Sequence, residues 1–112
     1  MVKKILDKYD NASVLKFANT LKRAGFKGEI VGGAYKGKNE SHDLDLICRE
    51  RDLPNNLAVI QKAQRGRNYI PVELYVAEPK YYKGLRKALR ATRYEAINER
   101  LMKGLHFRKI SL

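Results

Sequence analysis

Gly32-Gly33-Ala34-Tyr35-Lys36-Gly37-Lys38-Asn39-Glu40-Ser41-His42-Asp43-Leu44-Asp45-Leu46 is the stretch that decides the reading. Glu29-Ile30-Val31 before it is a short β-rich run, so the glycines stand at a strand end. Asp43 to Ile47 alternates charge with aliphatics, which predicts a half-buried strand. Residues i and i+2 of a strand share a face. Asp43 and Asp45 therefore project together, with Leu44 and Leu46 turned to a core. Two carboxylates held side by side repel unless a cation lies between them, and hard oxygens on a rigid face suit Mg²⁺ or Mn²⁺.

Outward from this segment, Pro71-Val72-Glu73-Leu74-Tyr75-Val76 places a third carboxylate, Glu73, among aliphatics on a strand predicted over 69–76. If the two strands pair, three carboxylates converge, which is a ligand set for two-metal phosphoryl transfer. Gly32-Gly33 is the complementary half. Glycines let a backbone approach a phosphate, and their N–H groups with a following helix start make an anion cradle. Lys36 adds a point charge and Ser41 a hydroxyl. An Asp-x-Asp alone is more often a solvated face, and a Gly-Gly alone a turn. Their combination at this spacing with a later strand Glu is far more specific.

The remaining elements follow from periodicity. Val14, Phe17, Ala18, Leu21 and Ala24 repeat at helical steps, predicting a helix over 11–24 capped by Asp10 or Asn11 and stopped by Gly25. A second helix is predicted over 57–63, its start marked by Pro54-Asn55-Asn56. A basic helix follows, with Lys83, Arg86, Lys87 and Arg90 on one face and Leu85 and Leu89 on another. Thr92-Arg93-Tyr94-Glu95 reads as a capping box opening a last helix over about 93–103, and 105–112 as a final strand. Alternating helices and strands give an α/β (α+β) class, a small mixed sheet flanked by helices.

The chain has 112 residues, room for one domain, with 44% apolar and 32% charged residues, the profile of a soluble globular chain rather than a disordered one. Its net charge is +12, which points to a polyanionic partner, nucleic acid before membrane. Residues 1–79 carry 14 basic and 10 acidic side chains; residues 80–112 carry 10 and 2. The face of Lys83, Arg86, Lys87 and Arg90 is therefore expected to track a nucleic-acid backbone. Cys48, the one cysteine, excludes an internal disulfide and suits a reducing compartment. It is read as a buried small residue past the strand. No apolar run is long enough to span a membrane and no secretory signal is evident, so an intracellular location is expected, a host cell if the protein is viral.

The pattern resembles the nucleotidyltransferase superfamily, specifically the DNA polymerase beta-like (family X) branch, over roughly residues 28–112. Gly32-Gly33, Lys36-Gly37, Ser41 and Asp43-Leu44-Asp45 match its opening motif, and Pro79-Lys80 and Tyr81-Tyr82-Lys83-Gly84 match its downstream segment. The resemblance implies a palm-like catalytic part over 1–79 and a nucleotide-selecting, thumb-like part over 80–112, within one compact unit. It implies two Mg²⁺ (or Mn²⁺) ions held by Asp43, Asp45 and Glu73, and a triphosphate held by Gly32, Gly33, Lys36 and Ser41. Thr92 and Arg93 would begin the turn around the sugar, Asn98 would reach the incoming nucleotide's minor-groove edge, and Tyr94, one turn before Asn98, would contact the nucleotide.

The implied activity is addition of nucleotides from nucleoside triphosphates to a 3′-hydroxyl of DNA, with release of pyrophosphate. RNA, protein or small molecules are the alternative acceptors, as in small stand-alone nucleotidyltransferases including toxin–antitoxin partners. A nucleic-acid-binding module with a vestigial site is a third reading. The sequence departs from the family's pattern at several points. Lys36 replaces the usual Arg, Gly33 the usual Ser, Glu73 the usual Asp, Arg93 the Gly after Thr, and Arg90-Ala91 the sugar-screening Tyr-Phe. The family's lyase domain has no counterpart, so lyase activity is not expected.

Overall fold

Strand β5 (Leu44–Arg49) is buried on both sides over most of its length and sits inside a four-stranded sheet of order β3-β5-β6-β7. The computed structural model describes residues 4–5, 8–66, 69–91 and 104–112. Strand β3 (Glu29–Val31) runs antiparallel to β5, β6 (Val72–Ala77) runs parallel to it, and β7 (Phe107–Ser111) runs antiparallel to β6. The sheet is therefore mixed, as the alternation of elements predicted. The parallel pair requires a crossover, and helix α3 (Leu53–Ala63) supplies it.

Alternation along β5 and β6 sorts the core into two layers. Leu44, Leu46 and Cys48, with Val72, Leu74 and Val76, turn to one face. There they meet Val14, Phe17, Ala18 and Leu21 of helix α1 (Asn11–Arg23) and Ile60 of α3. Ile47 and Ala77 turn to the other face, under Tyr82, Leu85 and Leu89 of helix α4 (Pro79–Leu89). That layer covers the half of the face where β5 and β6 end. Asp45 and Glu73 occupy the half where they begin.

Helix α1 starts where expected, with Asp10 accepting a hydrogen bond from the Ser13 N–H at 3.2 Å. It ends one residue early, leaving Ala24 as the exposed C-cap. Helix α3 begins at Leu53 rather than Leu57, because Pro54 fits the first turn, where its missing N–H is not needed. The strand predicted over 43–47 runs instead from Leu44 to Arg49, so Cys48 lies within it, fully buried, rather than past it. The basic helix starts at Pro79, again a first-turn proline. The last helix, over 93–103, lies outside the described residues. Both described ends of the 80–112 segment are built into the main layers: α4 packs on the sheet and β7 pairs with β6.

A second, three-stranded sheet was not foreseen. It joins β1 (Lys4–Ile5), β2 (Lys8–Asp10) and β4 (Glu40–Ser41). Strands of two or three residues carry no alternation to read. Its effect is local: Tyr9 pairs with Ser41 and Asp10 with Glu40, and the Asn11 N–H donates to the Asn39 carbonyl at 2.8 Å. The loop between the glycines and Asp43 is thereby fastened to the start of α1.

Asn56 is the only fully buried polar side chain among the described residues. Its Oδ1 accepts from the Lys27 N–H and its Nδ2 donates to the Lys27 carbonyl, both at 2.9 Å. One amide thus satisfies a backbone pair that would otherwise be stranded between α3 and the chain entering β3. Asn56→Ala is expected to cost about 2–4 kcal/mol in denaturant unfolding, because both Lys27 groups lose their partner. An unchanged midpoint would show that water replaces the amide.

Candidate functional site

The sheet order sets the site. Asp45 lies opposite Val31 on β3 and opposite Glu73 on β6; Glu73 lies opposite Ser111 on β7. Asp43 sits in the bend just before β5, in hydrogen-bond contact with Asp45. Asp45, Glu73 and Ser111 therefore form a row across the face left open by α4.

The electrostatics follow from burial and crowding. Burial and the adjacent Asp43 push Asp45 up to about 7, with Glu73 adding to the effect; the Gly33 N–H and the Lys36 charge act against it. Burial and Glu73 likewise raise Asp43, while His42, Lys109 and the hydrogen bond from Asp45 oppose the rise. Burial and mutual repulsion thus favour the protonated form of both aspartates. Burial first, then the three carboxylates, push the Tyr75 hydroxyl up to about 12, so Tyr75 stays neutral beside them.

The two glycines stand against Asp45. Helix α2 (Gly32–Tyr35) is a single turn, too short for a developed dipole. The Gly33 N–H is given to the Asp45 carboxylate. A Cβ on Gly32 would stand 2.2 Å from Asp45 Oδ2, so Gly32 is the space into which Asp45 fits. Lys36 caps α2 near Asp45. Ser41 Oγ is buried with no hydrogen-bond partner among the described residues, 3.0 Å from where a Gly33 Cβ would lie. It is an unspent donor and acceptor next to Gly33, whose N–H meets Asp45.

The oxygen set fits a divalent cation as an open site. Asp43 and Asp45 offer two hard carboxylates whose repulsion a cation would relieve, and Mg²⁺ is commonly held by one or two carboxylates with substrate phosphates and water. Glu73 stands in register beside them, but both of its carboxylate oxygens accept from Ser111 Oγ at 3.0 Å. Among the described residues no three His, Cys, Asp or Glu side chains are gathered closely enough to hold a metal by themselves.

The basic face of α4 divides in two. Arg86 donates to both Glu29 oxygens at 3.1 and 2.8 Å, and Tyr82 donates to Glu29 at 2.7 Å. Arg90 donates to the Ile30 carbonyl at 3.1 Å, with its guanidinium 4.2 Å over the exposed Tyr35 ring. Burial alone would raise Glu29, yet these hydrogen bonds and the Arg86 and Arg90 charges hold it below its ordinary value. Arg86 and Arg90 thus anchor α4 to β3. Lys83 and Lys87 remain exposed. Tyr82 is buried in the core, and the Tyr81 ring packs tilted against His106 with centroids 4.9 Å apart. Losing Lys83 and Lys87 together to Ala is expected to lower the salt slope of polyanion binding by about 2 with the fold intact. Arg86→Ala is expected instead to lower the melting temperature. Equal salt slopes for the two variants would reject this division.

Thr92, Arg93, Tyr94 and Asn98 lie outside the described residues. His42 is close enough for its charge to act on Asp43. Sequence reading missed Tyr35, Ser111 and Lys109. The last two share the carboxylate face because 107, 109 and 111 alternate with 108 and 110 on β7, a pattern readable only once the strand is known to pair with β6. No family model, curated protein or solved structure matches the chain. Among the described residues no helix is long and apolar enough to cross a membrane.

Proposed function

We propose that the chain is a metal-dependent nucleotidyltransferase of the polymerase beta type, transferring a nucleotide from a nucleoside triphosphate to a 3′-hydroxyl of DNA with release of pyrophosphate. The observation that carries this reading is the crowded Asp43–Asp45 carboxylate pair, with Asp45 fitted into the Gly32 space and set in register beside Glu73. Such a pair is unfavourable in a merely structural role above neutral pH and becomes favourable when a cation takes the place of a proton.

Bound Mg²⁺ or Mn²⁺ would supply charge neutralisation at the phosphoryl oxygens and ease ionisation of the attacking hydroxyl. Asp43 and Asp45 would hold the cations. Lys36 and the Ser41 hydroxyl would bind the triphosphate from the β3 side. Glu73 would receive the proton of the acceptor hydroxyl from the β6 side. Lys83 and Lys87, with the excess charge of the chain, would hold the nucleic-acid backbone. The sugar and base contacts of Thr92, Arg93, Tyr94 and Asn98 belong to the same proposal.

The test is nucleotide incorporation onto labelled gapped, templated and single-stranded DNA primers. It is run with Mg²⁺ and with Mn²⁺, each of the eight nucleotides added separately, and Asp43→Asn as control. Extension lost in the variant is expected. No extension on any DNA, with DNA binding retained, would reject polymerase chemistry in favour of another acceptor or a binding module.

A further inference from the structure

Ser111 Oγ donates to both oxygens of Glu73 at 3.0 Å each, from an exposed position on the edge strand. This is the contact an acceptor hydroxyl needs with its base. The strand order makes the placement directional. Helix α2 follows directly on β3 and sets Gly32 and the Gly33 N–H against Asp45, and Asp45, Glu73 and Ser111 then follow on β5, β6 and β7. Adjacent strands are about 4.8 Å apart, so Ser111 lies about 10 Å from the Asp45 position. A triphosphate held beside α2 with its α-phosphorus toward Glu73 would present that phosphorus to Ser111. Its leaving group would then point away from Ser111, the in-line arrangement that displacement at phosphorus requires.

We propose that Ser111 is itself an acceptor and that the protein nucleotidylates its own Ser111 side chain; this rests on the nucleotidyltransferase reading of the site. Ser111 Oγ bonds to the α-phosphorus of a nucleoside triphosphate. The bond from that phosphorus to the bridging oxygen of the β-phosphate breaks, and pyrophosphate leaves with the electron pair. The hydroxyl proton passes to the Glu73 carboxylate. The product is a phosphodiester joining Ser111 to the nucleotide's 5′-oxygen. The modified side chain would fill the position in front of Glu73 and exclude any other hydroxyl from it, so self-transfer and transfer to an outside acceptor compete. Lys109, on the same face of β7 and close enough for its charge to act on Asp43, adds attraction for the incoming phosphates.

Two measurements test this. The first is incubation with α-³²P-labelled nucleoside triphosphate and Mn²⁺, followed by intact-mass and peptide mapping. A single added nucleoside monophosphate on the Ser111 peptide is expected. It should fall at least ~100-fold in Ser111→Ala, in line with loss of a based nucleophile, and persist in Ser111→Thr.

The second needs no turnover. In Ser111→Cys the introduced thiol is the only accessible one, because Cys48 is buried. An α,β-methylene triphosphate is expected to slow its alkylation by iodoacetamide about tenfold or more by seating over it. Analogue binding by calorimetry, or pyrophosphate release with DNA extension, without labelling at Ser111 or protection of the thiol would overturn the Ser111 assignment and leave the nucleotidyltransferase reading standing. Absence of analogue binding and of pyrophosphate release would overturn both.

Discussion

Asp45→Asn is expected to abolish nucleotidyl transfer and, in the same protein, to stabilise the metal-free fold at pH 8. Asp45 is raised from its ordinary value to about 7, by burial first and Asp43 second. A carboxyl whose folded pKa lies above its unfolded one binds its proton more tightly when folded. Its contribution is complete below pH 4 and is lost as pH rises through 7. The loss is on the order of 2–4 kcal/mol, the lower part being more realistic for two coupled groups.

An asparagine presents Oδ1 to the Gly33 N–H and an N–H to Asp43, copying the protonated acid at every pH. Denaturant unfolding in EDTA should therefore show the native chain losing stability between pH 5 and 8, and Asp45→Asn losing less, the remainder coming from Asp43, which burial and Glu73 still raise. Mg²⁺ or Mn²⁺ should restore the native chain at pH 8 and leave the variant unmoved, since a cation does for two carboxylates what the proton does. Glu29 works in the opposite direction. Its lowered value makes its bonds to Arg86 and Tyr82 fail only in stronger acid, so it does not mask the effect in the pH 5–8 window. Equal stability of the native chain at pH 5 and 8 without metal would show that the pair is solvated, and with it would go the argument for a cation site.

What could be read in the sequence was whatever local periodicity encodes. The Asp43-Leu44-Asp45-Leu46 alternation put both carboxylates on one face, and the spacing of Val14, Phe17, Ala18 and Leu21 gave the buried stripe of α1. What pairing decides could not be read. That Asp45 stands opposite Glu73 is a register fact, and that Ser111 stands beside Glu73 depends on β7, the last strand of the chain, pairing with β6.

The basic helix shows the limit of charge patterning. Arg86 and Arg90 share a helical face with Lys83 and Lys87, and nothing in α4 reveals that β3 sets Glu29 and the Ile30 carbonyl beneath two of the four. The arginines are the two that turn inward, consistent with a planar fork that suits bidentate pairing better than an ammonium does. The glycines were legible as special but not in their role: Gly32 makes room for a carboxylate, a contact carried by β3–β5 pairing rather than by the loop.

Gly32→Ala and Gly37→Ala are expected to separate backbone strain from loss of that room. Both glycines have left-handed backbones, at φ 68° and 78°. Each alanine therefore carries a strain of about 1–2 kcal/mol. Around Gly37 a Cβ meets nothing within 4 Å, so Gly37→Ala should lose about that much and keep its metal affinity. At Gly32 the Cβ would lie 2.2, 2.7 and 2.8 Å from Asp45 Oδ2, Cγ and Cβ. Moving the carboxylate alone does not clear the last contact, so β5 itself must shift. Gly32→Ala should cost about 3 kcal/mol or more and lower Mn²⁺ affinity at least ~10-fold, because Asp45 leaves both the Gly33 N–H and Asp43. Combining Gly32→Ala with Asp45→Gly removes all three clashing atoms, so the double variant should recover stability relative to the sum of the two singles, by 1 kcal/mol or more on a double-mutant cycle. Additive losses would place the Asp45 side chain away from Gly32, and the carboxylate pair would lose the fitted position on which the cation site depends.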